Sequence, residues 1–335
     1  MKKLIFLFTS ILFLSCGSGK EATLNEDTTK IKFANEINAE ELKEHLYIFA
    51  SDILGGRKTG EKGQKMAANY LTAYYKNLGL KAPKGHEEYL QEIPKEYFNN
   101  TSEKSSENVV AYIEGSEHPE ELLVISAHYD HLGKKGEIVY NGADDDGSGT
   151  TALMEIAQAF QMAKKNGYTP KRSILFLHLT GEEAGLFGSK YYTSHPIFPL
   201  ENTIVNLNID MVGRVDDKHM NNPNYIYLIG ADKLSSDLHK LSEETNKKYT
   251  KLKLDYTYND DKDPNRFYYR SDHYNFAKNN IPVIFYFNGV HEDYHKPTDT
   301  ADKINYDLLA KRAQLVFYTA WEIVNRKDRV VVDKK

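Results

Sequence analysis

Six apolar runs recur along this chain with room for a helix between most of them, and that alternation limits the folds open to it. NVVAYIE (108–114), ELLVISA (121–127), RSILFLHLT (172–180), TIVNLNID (203–210), YIYLIG (225–230) and PVIFYF (282–287) read as strands. Several are apolar without alternation, the habit of strands covered on both faces. Helical stretches are expected at about 148–166, 182–194, 233–248, 271–280 and 306–326. Two more precede them: Asn38 caps AEELKEHLYIFAS, and KGQKMAANYLTAYYKNLG stops at Gly79. The pattern predicts an α/β fold, a largely parallel mixed central sheet flanked by helices. No repeat and no dividing linker interrupts it, so residues 35–330 are expected to form one domain.

The first residues, MKKLIFLFTSILFLSCGSGK, pair two lysines with an apolar run from Leu4 to Leu14 and small residues around Cys16, the only cysteine. Too short to span a membrane, the run reads as an export signal, and residues 1–16 resemble a bacterial lipoprotein signal. Acylation of Cys16 would anchor the protein to a membrane, in the periplasm or at the cell surface. Residues 17–34 begin GSGKEATLNEDTTKIK, too polar to bury a core, and are expected to act as a tether. With 40% hydrophobic and 27% charged residues the remainder is ordinary globular material. A formal net charge of −5 gives no sign of a phosphate-backbone binder, so nucleic acid is set aside as a partner.

NGADDDGSG (141–149) sets three carboxylates side by side. Such acids repel unless they are solvated or something multivalent and positive sits among them. In open α/β sheets ligands gather beyond the carboxyl ends of the strands, and other candidate ligands fall there: AHYDH (127–131), GEE (181–183), NIDM (208–211) and HEDYH (291–295). Each piece alone is ordinary. Their coincidence at equivalent points of one sheet edge points to a metal, and imidazole with carboxylate suits zinc. About five ligands with one shared carboxylate suit two ions.

Two other metal motifs compete. Asp144, Asp146, Ser148, Gly149 and Glu155 match the spacing of a calcium-binding EF-hand loop, but the preceding KKGEIVYNGA is glycine-containing and β-like where a helix is required. His291 and His295 match H-E-x-x-H, which works only on a helix. Gly289 and Pro297 argue for a loop there, so only one of the two histidines is expected to bind metal.

GGRKTGEKGQKMAANYL, SAHYDHLG, NGADDDGSG, LTGEEAGLFGSKYY, NIDMVGR, RSDHYNFA and DYHKPTDT occur in that order, in a region running from about Leu54 to His295. Together they resemble the co-catalytic zinc aminopeptidases of the aminopeptidase Y and bacterial leucyl aminopeptidase type, whose relatives include glutaminyl cyclases and the transferrin receptor. The resemblance implies two zinc ions: one on His128 and Asp210, the second on Glu183 and His295, with Asp145 bridging. It makes Glu182 the general base that takes a proton from a water acidified by both ions and returns it to the leaving amine. Asp130 would orient the His128 imidazole, and Tyr294 would hydrogen-bond the oxyanion. Substrates would be peptides with a free N-terminus. Many exported members carry a protease-associated insert, for which residues 81–107 are too few; the aromatic, charged stretch 255–270 is a plausible substrate lid or an ordinary surface loop.

Two other functions are open on the same scaffold. A glutaminyl cyclase would have tryptophan in its pocket, whereas Tyr294 precedes the last histidine and the only tryptophan, Trp321, sits in an amphipathic helix where core packing explains it. A non-catalytic binding lipoprotein would have lost ligands, and all five are present with Glu182.

Overall fold

The computed structural model describes residues 18–334, so the expected signal and Cys16 lie outside the described residues. Eight strands form one sheet: β1 (Leu90–Ile93), β2 (Ser106–Ile113), β3 (His118–His128), β6 (Arg172–Leu179), β7 (Thr203–Ile209), β8 (Tyr225–Ile229), β9 (Lys253–Asp255) and β10 (Val283–Phe287). A separate hairpin pairs β4 (Gly133–Lys135) with β5 (Ile138–Tyr140). The sheet order is β1-β2-β6-β3-β7-β10-β8-β9. Its centre, β6-β3-β7-β10, is parallel throughout, while β1, β2 and β8 join antiparallel. The six predicted strands are all present. The short edge strands β1 and β9 carry too little apolar signal to be read beforehand, and of the hairpin only the β-like IVY is legible.

Side-chain alternation assigns each strand two faces. Leu123, Ile125 and Ala127 of β3 join Ile174, Phe176, Val205 and Leu207 in the larger core, under α4 (Gly149–Lys165) and α8 (Tyr306–Asn325). Leu122 and Val124 of β3 join Leu175, Leu177 and Leu179 on the other face, with Tyr192 of α5 (Phe187–Ser194) and Phe276 of α7 (His273–Ala277). On that second face β7 departs from the apolar rule, carrying buried Asn206 and Asn208.

Helix ends follow their chemistry. The Asn38 side chain accepts from the backbone N–H of Glu40 and Glu41 at 3.1 and 3.0 Å and starts α2 (Ala39–Phe49), a cap of about 1 kcal/mol. Gly79, at φ 73°, ends α3 (Lys62–Leu78) in the left-handed conformation that glycine adopts freely. Ser235 caps α6 (Ser236–Lys248). The stretch expected as a helix over 182–194 is a turn until Phe187, because Gly181, Gly185 and Leu186 all take positive φ.

Residues 18–34 are not a tether. They form α1 (Ser18–Ala34), whose last turns dock on the body. Phe33 and Ala34 are fully buried, Phe33 stacks on Trp321 with ring centroids 6.3 Å apart, and the Lys30 ammonium meets Glu322. A composition argument averages over the segment and misses this, since the docking depends on a few residues at one end of an otherwise polar helix. Phe33→Ala is expected to cost about 3–5 kcal/mol in urea unfolding; a change within about 0.5 kcal/mol, as for a solvated tether, would detach α1 from the core.

Candidate metal centre

Because β6, β3, β7 and β10 run parallel, their carboxyl ends share one edge of the sheet. His128 is the last residue of β3, Glu182 and Glu183 lie in the turn after β6, Asp210 follows β7, and Tyr294 and His295 follow β10. The loop carrying Asp145 enters α4 beside them.

The three consecutive aspartates have separate partners. Asp144 is fully buried and accepts from the Gly213 N–H at 2.7 Å, the Ser148 hydroxyl at 3.0 Å and the Asn288 amide at 3.0 Å, with His291 Nε2 at 3.1 Å. Asp146, also fully buried, accepts three backbone N–H groups, those of His128 at 3.2 Å, Gly149 at 2.9 Å and Met211 at 3.0 Å. A Cβ at Gly149 would lie 2.4 Å from the Asp146 carboxylate, so only glycine permits that close approach. Asp145 alone turns both oxygens to imidazoles: Oδ1 is 3.2 Å from His128 Nε2 and Oδ2 is 3.0 Å from His295 Nε2. Asp210 Oδ1 completes the first side, 3.6 Å from His128 Nε2, and Glu183 Oε2 the second, 3.3 Å from His295 Nε2.

The five expected ligands are thus together, divided by Asp145 as a shared carboxylate would divide them. The donors fit a cation. His128 Nε2 is buried without a hydrogen-bond partner although three carboxylates lie within 4 Å of it, the arrangement of atoms directed at a common point. Charge agrees with geometry. Burial opposes it, but Asp145 and Glu183 hold the His295 imidazole up at about 10; against the same opposition, His128 and His295 hold Asp145 well below the usual carboxylate range. His128, Asp146 and Asp210 also approach one another, but the Asp146 oxygens are committed to backbone N–H groups, so Asp145 is the better ligand.

Sequence reasoning needs one correction. Asp130 does not orient His128 through its carboxylate, which lies 3.8 Å from Nδ1; its backbone carbonyl does, at 3.2 Å. The Asp130 carboxylate instead accepts from the Thr59 hydroxyl at 2.7 Å and the Glu182 N–H at 3.2 Å, fixing the turn that carries Glu182 and Glu183. The rival motifs dissolve. His291 serves Asp144 and not the centre, and the segment 291–296 is not helical. Glu155 faces His45 of α2 at 3.4 Å, and the Ser148 hydroxyl bonds Asp144, so no calcium loop forms.

Glu182 lines a small cleft with Asp145, Asp210 and His295; Met211, Phe267, Phe285 and Phe287 form its apolar wall, and Arg270 and Tyr294 complete it. Burial, with the nearby charges of Asp210 and Glu183, pushes the Glu182 carboxyl well above its usual range against the opposing pull of His128. Burial likewise pushes the Tyr294 hydroxyl up, which keeps its proton available for donation. The stretch 255–270 contributes Phe267 and Arg270 to the wall.

Three residues escaped the sequence reading. Asp299 accepts the backbone N–H of Asp144 and of Asp145. Arg57, fully buried, donates to the carbonyls of Tyr129, Phe49, Asn141 and Gly142 at 2.7–2.9 Å, tying the ends of the acidic loop and of β3 to the helical layer. His131 Nδ1 lies 2.7 Å from Glu183 Oε1, making it a further candidate donor on the second side. All three fall inside the quoted motif blocks, which was the available signal; their partners are remote in sequence.

An α/β sheet that gathers two histidines and two further carboxylates around one shared aspartate has the donor set of a zinc-dependent hydrolase. The sequence pattern of Peptidase family M28 matches residues 108–320, and the chain belongs to that family. It is 27% identical over 225 residues to aminopeptidase YwaD of Bacillus subtilis, covering 65% of this chain and 44% of that one. It is 38% identical over 93 residues to a probable glutamate carboxypeptidase, LAMP1, of Arabidopsis thaliana, covering 28% and 13%. The chain spans less than half the length of these curated relatives. The fold is shared with the crystal structure of the LapA aminopeptidase of Legionella pneumophila at a TM-score of 0.69 and 22% identity, over 90% of this chain and 76% of that one.

If Asp146 clamps backbone and Asp145 holds metal, Asp146→Asn puts a donor against N–H groups. It is expected to cost about 1–3 kcal/mol in a thermal melt while leaving zinc content, read by elemental analysis, unchanged. Loss of an ion would make Asp146 a ligand.

Proposed function

We propose that the protein is an exported zinc aminopeptidase that removes N-terminal residues from peptides. The observation that carries this reading is Asp145, with one oxygen toward His128 and the other toward His295. His128 and Asp210 would hold one zinc, Glu183 and His295 the second, and Asp145 both. Ions bound there would acidify a water between them and polarise the scissile carbonyl.

The chain's own groups supply the rest. Glu182 lines the cleft beside Asp145, Asp210 and His295 without being one of the five candidate ligands, the place of a general base that would take a proton and pass it to the leaving amine. Tyr294, stacked on His295 with centroids 3.8 Å apart, is held where its hydroxyl can donate to a developing oxyanion. Glu182 and Asp210 give the cleft an acidic side complementary to an α-ammonium, and the apolar wall suits a hydrophobic N-terminal side chain. YwaD and LapA, named as aminopeptidases, support this direction of attack over that of a carboxypeptidase. Cyclisation of glutamine is less well supported, because Trp321 stacks on Phe160 in the core and does not line the cleft.

The test is a panel of leucyl and phenylalanyl peptides, free, N-acetylated or C-amidated, with zinc measured on the same samples. Cleavage is expected for free and amidated peptides, to vanish on acetylation or chelation, and to return with zinc. Glu182→Gln should retain both ions and lose about a hundredfold or more in kcat. Efficient cleavage of acetylated peptides, or full activity without metal, would refute the reading.

The export proposal rests on the lysine-led apolar run and Cys16. No helix among the described residues is long and apolar enough to cross a membrane. Cys16→Ser is expected to move the protein from the membrane to the soluble fraction on ultracentrifugation; a variant that stays with the membrane would locate the anchor elsewhere.

A further inference from the structure

Among the described residues that line the cleft, Arg270 is the only arginine or lysine. Arg172, Arg214 and Arg326 each meet a carboxylate, those of Glu121, Asp293 and Asp237. The Arg270 guanidinium meets none, nor any hydrogen-bond acceptor, among the described residues; it lies over the Phe267 ring, 4.9 Å from the centroid. That seat is fixed. Phe267 is buried, its ring centroid 5.0 Å from that of Phe287 and 4.7 Å from that of Tyr258, and its backbone N–H donates to Asp263 at 3.0 Å. An aromatic face attracts a guanidinium without using its N–H donors.

Arg270 acts on the same space as the candidate ligands. The next residue, Ser271, ties the chain to the first metal side, its hydroxyl donating to Asp210 Oδ2 at 2.6 Å. Burial pushes the Tyr294 hydroxyl up, the charges of Asp145, Glu183 and Asp210 push it further, and Arg270 opposes them. A free guanidinium at the edge of an apolar wall suits side chains of one form: methylenes against Met211, Phe285 and Phe287, and a terminal carboxylate on the planar fork. Glutamate and aspartate have that form, whereas leucine and phenylalanine use the wall alone. The acids of the cleft do not forbid an anion, because three ligand carboxylates around two dications leave no negative excess.

We propose that Arg270 is a specificity-determining residue that favours peptides beginning with glutamate or aspartate, a role that rests on the aminopeptidase reading above. Its partner is the N-terminal side chain and not the departing peptide, since the guanidinium lies on Phe267, part of the wall assigned to that side chain. A lysine or arginine at the N-terminus would bring like charge to the same place and is disfavoured.

The experiment measures kcat/KM of the zinc-loaded full chain on C-amidated dipeptides beginning with glutamate, glutamine, leucine or lysine, with the same peptides as free acids in parallel. Glutamate and glutamine are nearly isosteric, so their ratio reads the charge alone. The wild type is expected to favour glutamate over glutamine by about 10-fold, less as salt is raised. Arg270→Met should abolish that preference. Arg270→Lys should keep part of it, since an ammonium has the charge without the fork, and Arg270→Glu should favour lysine over glutamate; thermal melts check that each variant folds. A wild type that cleaves none of the peptides defeats the aminopeptidase reading. If the wild type cleaves leucyl peptides but takes glutamate no better than glutamine, the role of Arg270 is overturned, with no variant needed. It is overturned equally if Arg270→Met loses leucyl and glutamyl cleavage alike, or if its effect is confined to the free-acid peptides, which would assign the guanidinium to the carboxyl end of the substrate.

Discussion

The structure turns on how it accommodates a concentration of buried carboxylates. Asp130, Asp144, Asp145, Asp146, Asp210 and Asp299 all lie within the protein at one end of the sheet. Leaving any one of them charged and unpaired would cost several kcal/mol. Most are satisfied by groups already fixed in place: backbone N–H groups for Asp146 and Asp299, an amide and an imidazole for Asp144, a hydroxyl and an N–H for Asp130. What remains are Asp145 and the Asp210 oxygen that faces His128, whose satisfaction is left to imidazoles that are themselves suited to bind metal. Of the acidic run only Asp145 turns both oxygens to imidazoles, and the bonds of the other two hold the loop that presents it.

Two buried guanidinium groups reinforce this without neutralising any acid by contact. Arg57 and Arg312 spend their hydrogen bonds on backbone carbonyls, Arg57 around the acidic loop and β3, Arg312 on those of Val212, Arg214 and Tyr225 behind it. Burial lowers the Arg57 pKa to about 10, and the nearby charges of Asp130 and Asp145 resist the fall. Lysine could not replace either, since a planar fork reaches several carbonyls at once where an ammonium reaches fewer.

The sequence was most legible where periodicity and chemistry coincide. The central strands were readable because apolar runs such as LLVI have few other uses, and the candidate ligands because most of them recur at the ends of those strands. What escaped was of two kinds. Segments whose state depends on a few anchors were misjudged: α1 by its polar average, the GEE turn by helical residues whose geometry Gly185 overrules. Supporting residues were invisible because their meaning lies in a partner far along the chain: Asp299 acts 154 and 155 positions away on Asp145 and Asp144, and Arg57 reaches 85 positions to Gly142. Asp130 illustrates the boundary, since its neighbourhood was foreseeable but not the exchange of roles between its carbonyl and its carboxylate.

The docking of α1 also bears on how far the folded body could stand from a surface if Cys16 carried a lipid. Seventeen residues as coil could stretch to about 55–60 Å, allowing the folded body to roam and tumble at the end of a leash. The same residues as the helix Ser18–Ala34 span about 25 Å, and the end nearest the body is packed into it. A lipid on Cys16 would then sit almost at the start of a stiff strut. The folded body would be held closer to the bilayer than a coil of the same length would allow.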